Sequence, residues 1–354
     1  MLNSLIRSIL GLDFDDLRQI SVILGYRGVI TLKVIQQAAV QLFGAEIDES
    51  VGLKLFTFLQ NLDVITLWLK RGGKTVFLQD SDALVGKVDE LLDIIKYLKQ
   101  TLPSVERVTA YTRSKTGVKR TLDELIKLRE AGLTRLHIGL ESGYDEVLEF
   151  VCKGANTTEH IEAGKKIKQA DIELCFYVMP GLGGKKWSEK HARETAEVLN
   201  EANPDFIRLR SLVISQASPL YEKYETGEFE PLSEDEVIDE IALLIENLHC
   251  TSQLVSDHNA NLLMGIEGKL PDDREKILKV ISDYKANSLP ERLEYQLKHR
   301  VGYYLRLCGQ LPDWLAQRIE MAYTSIKEKK PEEAAKEVEQ VIFLLKADLF
   351  KEFV

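Results

Sequence analysis

The sequence predicts an α/β protein built as a partial (β/α) barrel of parallel strands, with helical extensions at both ends. Three observations carry that expectation. Short, apolar, β-branched segments recur from Val76 onward, and their starts fall roughly 30–45 residues apart. A helix-length amphipathic segment separates each pair. A parallel return needs a crossover helix on the sheet face, so the alternation favours parallel strands over hairpins. A doubly wound open sheet shares this alternation and stays open as the competing architecture.

Residues 1–73 read as a helical N-terminal segment. Asp13 caps a helix over Phe14–Leu24, Thr31–Phe43 carries apolar residues at helical spacing before Gly44, and Glu49–Leu62 supplies a third helix. VITLWL (64–69) and KTVFLQ (74–79) then read as two strands around a Gly-Gly turn. Residues 74–265 hold the repeating units. The strand TVFLQ precedes a long helix over Leu84–Leu102, and RVTAY (107–111) precedes a helix over Leu122–Ala131. RLHIGL (135–140) precedes helices over Asp145–Val151 and Thr158–Ala170. ELCFYVMP (173–180) is followed by Trp187–Ala202, FIRLRSLVI (206–214) by Glu234–Leu248, and QLVSDH (253–258) is a sixth strand. Residues 266–354 read as a helical C-terminal region that ends in a helix pair, Asp313–Lys327 and Pro331–Phe350, with Pro331 suited to a first helical turn.

A chain of 354 residues can bury a sizeable core. Its 46 basic and 56 acidic residues give a net charge of −10, which argues against a protein that coats nucleic acid. No stretch approaches the ~18 uncharged apolar residues of a membrane span, and the first residues lack a small-residue cleavage site, so a cytoplasmic protein is expected. The partners expected are a small-molecule ligand and, through the terminal helices, another protein. Cys152, Cys175, Cys250 and Cys308 form no CxxC or CxxxC pair, and read as reduced, buried thiols rather than a metal site.

In βα barrels, functional groups collect at the C-terminal ends of the strands. Here those ends are polar or glycine-rich: Asp80 and Asp82; Tyr111 and Arg113; Glu141 and Ser142; Gly181, Gly183 and Gly184; Arg208 and Arg210; Asp257 and His258. A structural barrel has no need of that asymmetry, so a polar pocket is expected there. Each group also has a plainer use. Asp82 can cap the next helix, and Glu141-Ser142-Gly143 can start the helix at Asp145. The glycines can admit either a ligand or another part of the chain. Arg208 and Arg210 alternate on one strand and share a face, where they either pair with Glu141 or Asp80 or hold an anionic ligand. His258 is suited to proton transfer and, with Tyr111, Arg113 and Asp257, is a candidate for substrate contact or acid–base work. His137 reads as a core histidine.

Together VFLQDSDALV, GLTRLHIGLESGYDEVLEFVCKG, YVMPGLGG and RLRSLVISQASPLYEKYETGEFEPLS resemble the strand ends of radical S-adenosylmethionine (radical SAM) proteins. The likeness runs over about residues 74–265 and is strongest to the branch with coproporphyrinogen dehydrogenases and tRNA-modifying relatives, in the uncharacterised Fe–S oxidoreductase group. It implies a TIM-barrel-like partial barrel with S-adenosylmethionine along the strand ends. By position Asp80 and Asp82 stand at its amino group, Glu141 and Ser142 at the ribose, and Gly181, Gly183 and Gly184 at the adenine. It also implies a 4Fe–4S cluster held by CxxxCxxC, because such clusters need thiolate ligands. This sequence departs there: residues 1–73 contain no cysteine. Three readings follow. The chain is a cluster-less relative that binds an adenosyl compound or serves as a scaffold. Alternatively, it is an altered or truncated form of an active oxidoreductase or transferase, or an unrelated βα acid–base enzyme using Asp80, Glu141 and His258.

Overall fold

A computed structural model describes residues 67–79 and 81–349. The chain divides into two compact units, residues 1–74 with 104–106, and residues 75–103 with 107–354. The helices expected before residue 63 lie outside the described residues, as does Asp80. In the first unit, residues 67–70 are helical, which corrects the expected strand over 64–69 for its described part. Lys74 pairs with Glu106 at 2.7 Å, and Ser104 Oγ donates to the Gly73 carbonyl at 3.0 Å.

The second unit contains one seven-stranded sheet whose spatial order follows the chain. The strands are β1 (Thr75–Leu78), β2 (Arg107–Tyr111), β3 (Leu133–Glu141), β4 (Glu173–Val178), β5 (Phe206–Leu209), β6 (Gln253–Val255) and β7 (Gly268–Lys269). Neighbours from β1 to β6 are parallel, and β7 pairs antiparallel to β6. The first and last strands do not pair, so the barrel is partial and open, as the repeating βα pattern implies.

The crossovers are α1 (Val88–Thr101), α2 (Ser114–Lys119), α3 (Leu122–Ala131), α4 (Asp145–Phe150), α5 (Thr157–Gln169), α6 (Gly184–Ala202), α7 (Pro219–Glu225) and α8 (Glu234–Asn247). Their starts are written locally. Thr121 with Glu124, Asn156 with Glu159 and Ser233 with Glu236 form reciprocal capping boxes that satisfy the first free amides of α3, α5 and α8. The expected long helix from Leu84 is broken. A 3₁₀ turn covers Ala83–Val85, Gly86 is extended, and α1 begins at Val88. Asp82 precedes that turn but makes no side-chain cap, contrary to its expected plainer use. The fifth strand stops at Leu209 rather than at Ile214, and the sixth at Val255 rather than at His258.

The centre of the sheet is β3 and β4. Leu136, Ile138, Leu140, Leu174, Phe176 and Val178 are fully buried at alternating positions. The intervening positions carry rings. Phe77 to Tyr111, Tyr111 to His137, and His137 to Tyr177 have centroid separations of 4.7, 5.8 and 5.5 Å, a row that crosses β1 to β4. The tail adds α9 (Arg274–Lys285), α10 (Leu289–Cys308), α11 (Asp313–Glu328) and α12 (Pro331–Leu349). The last three share a core around Leu297, Leu315, Val338 and Leu345. From α12, Phe343 reaches Tyr224 of α7 with ring centroids 4.6 Å apart, beside the cluster that contains Leu182 and Ile214.

Candidate functional site

The C-terminal ends of β1 to β5 meet around one cleft of about 360 Å³. Ser81, Tyr111, Arg113, Glu141, Tyr177 and Arg210 line it, together with Lys153 and the buried pair Ser114 and His160. That volume is in the range of small-molecule pockets. Four residues expected from the sequence therefore converge: Tyr111, Arg113, Glu141 and Arg210.

Glu141 is placed by a break in the β3–β4 ladder. The register shifts between Gly139 and Glu141, and Glu141 adopts φ 63°. An alanine at Gly139 would put its Cβ 2.1 Å from Glu141 Oε1, so the glycine makes room for that carboxylate. Lys153, in the loop after α4, donates to Glu141 Oε1 at 3.1 Å. Of the alternatives expected for the two arginines, this overturns pairing with Glu141, while pairing with Asp80 lies outside the described residues. Arg208 instead pairs with Asp257 and reaches the Tyr177 hydroxyl at 3.4 Å. The guanidinium of Arg210 lies 4.2 Å from the centre of the Tyr177 ring, and no carboxylate among the described residues pairs with it. Arg113 donates to the Lys153 carbonyl at 3.3 Å.

The other expected groups are committed elsewhere. Asp82 is buried, and its two oxygens accept from the Thr112 and Thr116 hydroxyls at 2.8 and 2.5 Å. Ser142 is wholly buried, with His191 Nδ1 at 2.8 Å and the Tyr144 amide donating to its Oγ at 3.0 Å. Neither is open to a ligand in this arrangement. The glycines serve chain packing. The Gly181 amide donates to Glu240 at 2.6 Å. A Cβ at Gly183 would sit 2.9 Å from that of His191, and one at Gly184 would lie 2.7 Å from the Glu230 carbonyl. Helix α6 begins at Gly184, three residues before the expected start at Trp187, so the tight approach belongs to the helix itself. His258 Nδ1 accepts from the Ala260 amide at 3.2 Å. Burial, then the charge of Arg210, holds its imidazole below the ordinary value, and it makes no hydrogen bond to a carboxylate among the described residues. It is a poor match to the acid–base reading.

Sequence reasoning did not single out Lys153, Tyr177, Ser114 or His160. Tyr177 was recoverable: it alternates with Cys175 toward the face that carries Arg208 across the ladder. Ser114 and His160, 2.5 Å apart between α2 and α5, had no signal at all. Burial, then Lys153, drives the His160 imidazole down to about 3, so it stands neutral.

Residues 57–199 match the family model of the Radical SAM superfamily. Over these residues the chain is similar to radical SAM domains. Its relatives include a tRNA uridine(34) acetyltransferase of Methanocaldococcus jannaschii, 27% identical over 35% of this chain and 23% of that protein. Elongator complex protein 3 of Bos taurus is 25% identical over 46% of this chain and 30% of its own length. The matched region thus spans about a quarter of the length of these relatives. Among solved structures, an N-terminally truncated archaeal Elp3 of Methanocaldococcus infernus superposes with a TM-score of 0.48 at 16% identity, over 68% of this chain and 62% of that one. Escherichia coli coproporphyrinogen III oxidase, a radical SAM enzyme, gives 0.35 at 12% identity, over 76% and 77%. The likeness to that superfamily rests on the sequence match over residues 57–199.

Radical SAM proteins use S-adenosylmethionine with a 4Fe–4S cluster, so the thiols of this chain can be tested against that group. They do not fit it. Cys152 follows α4 and is exposed, Cys175 is buried in β4, Cys250 is buried before β6, and Cys308 ends α10. Burial pushes the Cys175 thiol up to about 12, away from the thiolate a cluster requires. No three metal-ligating side chains gather anywhere among the described residues. Nor is any described helix long and apolar enough to cross a membrane.

Proposed function

We propose that the strand-end cleft of this radical SAM-like unit binds S-adenosylmethionine or a related small metabolite, and that the cysteines of this chain do not assemble the cluster needed for radical chemistry. One observation carries the reading: the ends of β2 to β5 deliver Tyr111, Arg113, Glu141, Tyr177 and Arg210 to one cleft, while none of the four cysteines lines it. Glu141 is suited to ligand hydroxyls or an amino group, because among the described residues only its Oε1 is engaged, by Lys153.

Two measurements test the two halves. Anaerobic reconstitution with iron and sulfide is expected to leave the protein without stoichiometric iron and without the visible absorption of a thiolate-bound cluster. A stoichiometric cluster would overturn the second half. Calorimetric titration with S-adenosylmethionine is expected to show one site per chain, weakened about tenfold or more in Glu141→Gln, the loss of one charge-assisted hydrogen bond. No heat of binding would overturn the first half.

A further inference from the structure

The arginines around the cleft are not equivalent. Arg208 is consumed by Asp257. Among the described residues the guanidinium of Arg210, two residues on, has only the face of Tyr177, and the hydroxyl of that ring is already taken by His137 at 2.9 Å and by Arg208. A ring face attracts a cation but offers no acceptor to the five N–H donors of a guanidinium. Arg113 spends one donor on the Lys153 carbonyl. Of the ionisable side chains that line the cleft, Lys153 and Glu141 cancel, which leaves Arg113 and Arg210 as cations without a carboxylate among the described residues.

We infer that the cleft takes a ligand bearing an oxyanion, a phosphate or a carboxylate, held by Arg210 where it lies on Tyr177 and by Arg113. This rests on the metabolite-site reading and specifies the charge of the metabolite. Guanidinium is the side chain whose planar fork matches both groups bidentately. A half-buried guanidinium on an aromatic face has already lost part of its hydration, so an incoming anion displaces less water from it. The charge of Arg210 also reaches the neighbouring imidazoles: it contributes, after burial, Arg208 and Arg135, to holding His137 down at about 3, and it is the first charge acting on His258 after burial. The wall carries one more unused polar atom, Nε2 of the wholly buried His160, which has no hydrogen-bond partner among the described residues.

The experiment is calorimetric titration of the full chain with adenosine monophosphate, inorganic phosphate, S-adenosylmethionine and methylthioadenosine, the last with neither phosphate nor carboxylate. At least one anionic nucleoside is expected to bind about tenfold or more tightly than methylthioadenosine, and rising salt is expected to narrow the gap. Competition by inorganic phosphate with adenosine monophosphate assigns the oxyanion to a phosphate. A gap confined to S-adenosylmethionine assigns it to a carboxylate. Arg210→Gln is expected to narrow the gap by weakening the anionic nucleosides about tenfold more than methylthioadenosine, with Arg210→Lys between the two. Where Arg210→Gln lowers the unfolding midpoint appreciably, Arg113→Gln reads the same gap.

Equal binding of charged and uncharged nucleosides, insensitive to Arg210, overturns the oxyanion and leaves the metabolite reading intact. Absence of binding by every nucleoside sinks both. An anion that binds only after Asp80→Asn also overturns the proposal, since Arg210 would then be neutralised from within the chain.

Discussion

Two clusters of cations and acids in this protein have opposite designs. Around the strand-end cleft, Arg210 rests on a ring and Arg113 on a carbonyl oxygen. At the start of α8, Glu234 is 5% exposed and receives Arg300 through two bonds of 3.1 and 2.6 Å, with Lys346 of α12 at 2.5 Å. Both use arginine near a strand-end rim. The second is closed, and its carboxylate is answered by two cations that fasten the C-terminal helices to the βα unit. The difference separates two uses of a charged side chain. A buried cation with its acid present is structural, whereas a half-buried one without an acid among the described residues is the kind of group that the oxyanion proposal uses.

The largest effect should come from removing the acid of the closed cluster. Glu234→Gln leaves Arg300 and Lys346 buried beside each other without a counter-charge, and one-sided loss of a buried pair costs about 3–5 kcal/mol. Chemical denaturation should show it directly. The same site sets a pH window. Burial alone would raise the Glu234 carboxyl, but Arg300 and Lys346 outweigh it and hold it down at about 2. A depressed carboxyl stabilises the folded state fully above its unfolded value of about 4.5 and loses that contribution as pH falls toward about 2. The wild-type curve should therefore fall through this interval more steeply than that of Glu234→Gln. Parallel curves would mean that Glu234 does not anchor the helices.

The glycine-rich strand end gives the next step down. Gly143→Ala would bring a Cβ to 2.4 Å from the Glu194 carbonyl oxygen and the Thr195 Cα, both helix backbone, so α6 must move. Overpacking of this kind costs about 1–3 kcal/mol. The position also marks what the sequence could and could not disclose. The boundaries of β2 and α3 and the convergence of Tyr111, Glu141 and Arg210 follow from periodicity and from the rule about strand ends, whereas the sequential strand order has a doubly wound competitor that periodicity alone leaves standing. The meaning of the glycines does not. Close approach by a ligand and close approach by a helix demand the same missing side chain, and only the packing of α6 against the ends of β3 and β4 decides between them. Ser142 failed for a related reason: a hydroxyl at a strand tip can face outward, or inward to His191 as it does here. Pairings across long sequence separations, such as Arg208 with Asp257, depend on register that no local pattern contains.

A smaller change is expected from the neutral imidazole in the cleft wall. His160 is wholly buried and is held at about 3 by burial first and Lys153 second, whereas the unfolded chain takes up a proton near its ordinary 6.5. A base depressed on folding gives full stability above the unfolded value, and that stability drains as pH falls from about 6.5 toward about 3. His160→Gln keeps a polar group near Ser114 and cannot titrate. It should lower stability at pH 7 by about 1–2 kcal/mol, through the altered contact with Ser114, and lose less on acidification than the wild type. An unchanged pH slope would show that protonation at this wall is tolerated.

The smallest effect on stability is the one that separates the two clusters most sharply. Arg210 makes no ion pair among the described residues, so Arg210→Gln gives up one partly exposed contact with a ring, worth about 0.5–1 kcal/mol. Glutamine retains part of the apolar stem and leaves no buried acid unanswered. If Arg210 were instead a structural tie of the Glu234 kind, its loss would strand a carboxylate and cost several times more. Urea denaturation of Glu234→Gln and Arg210→Gln side by side decides this. A large loss in the first with a small one in the second places Arg210 among the groups held ready for something outside the fold, and equal losses would return it to the architecture.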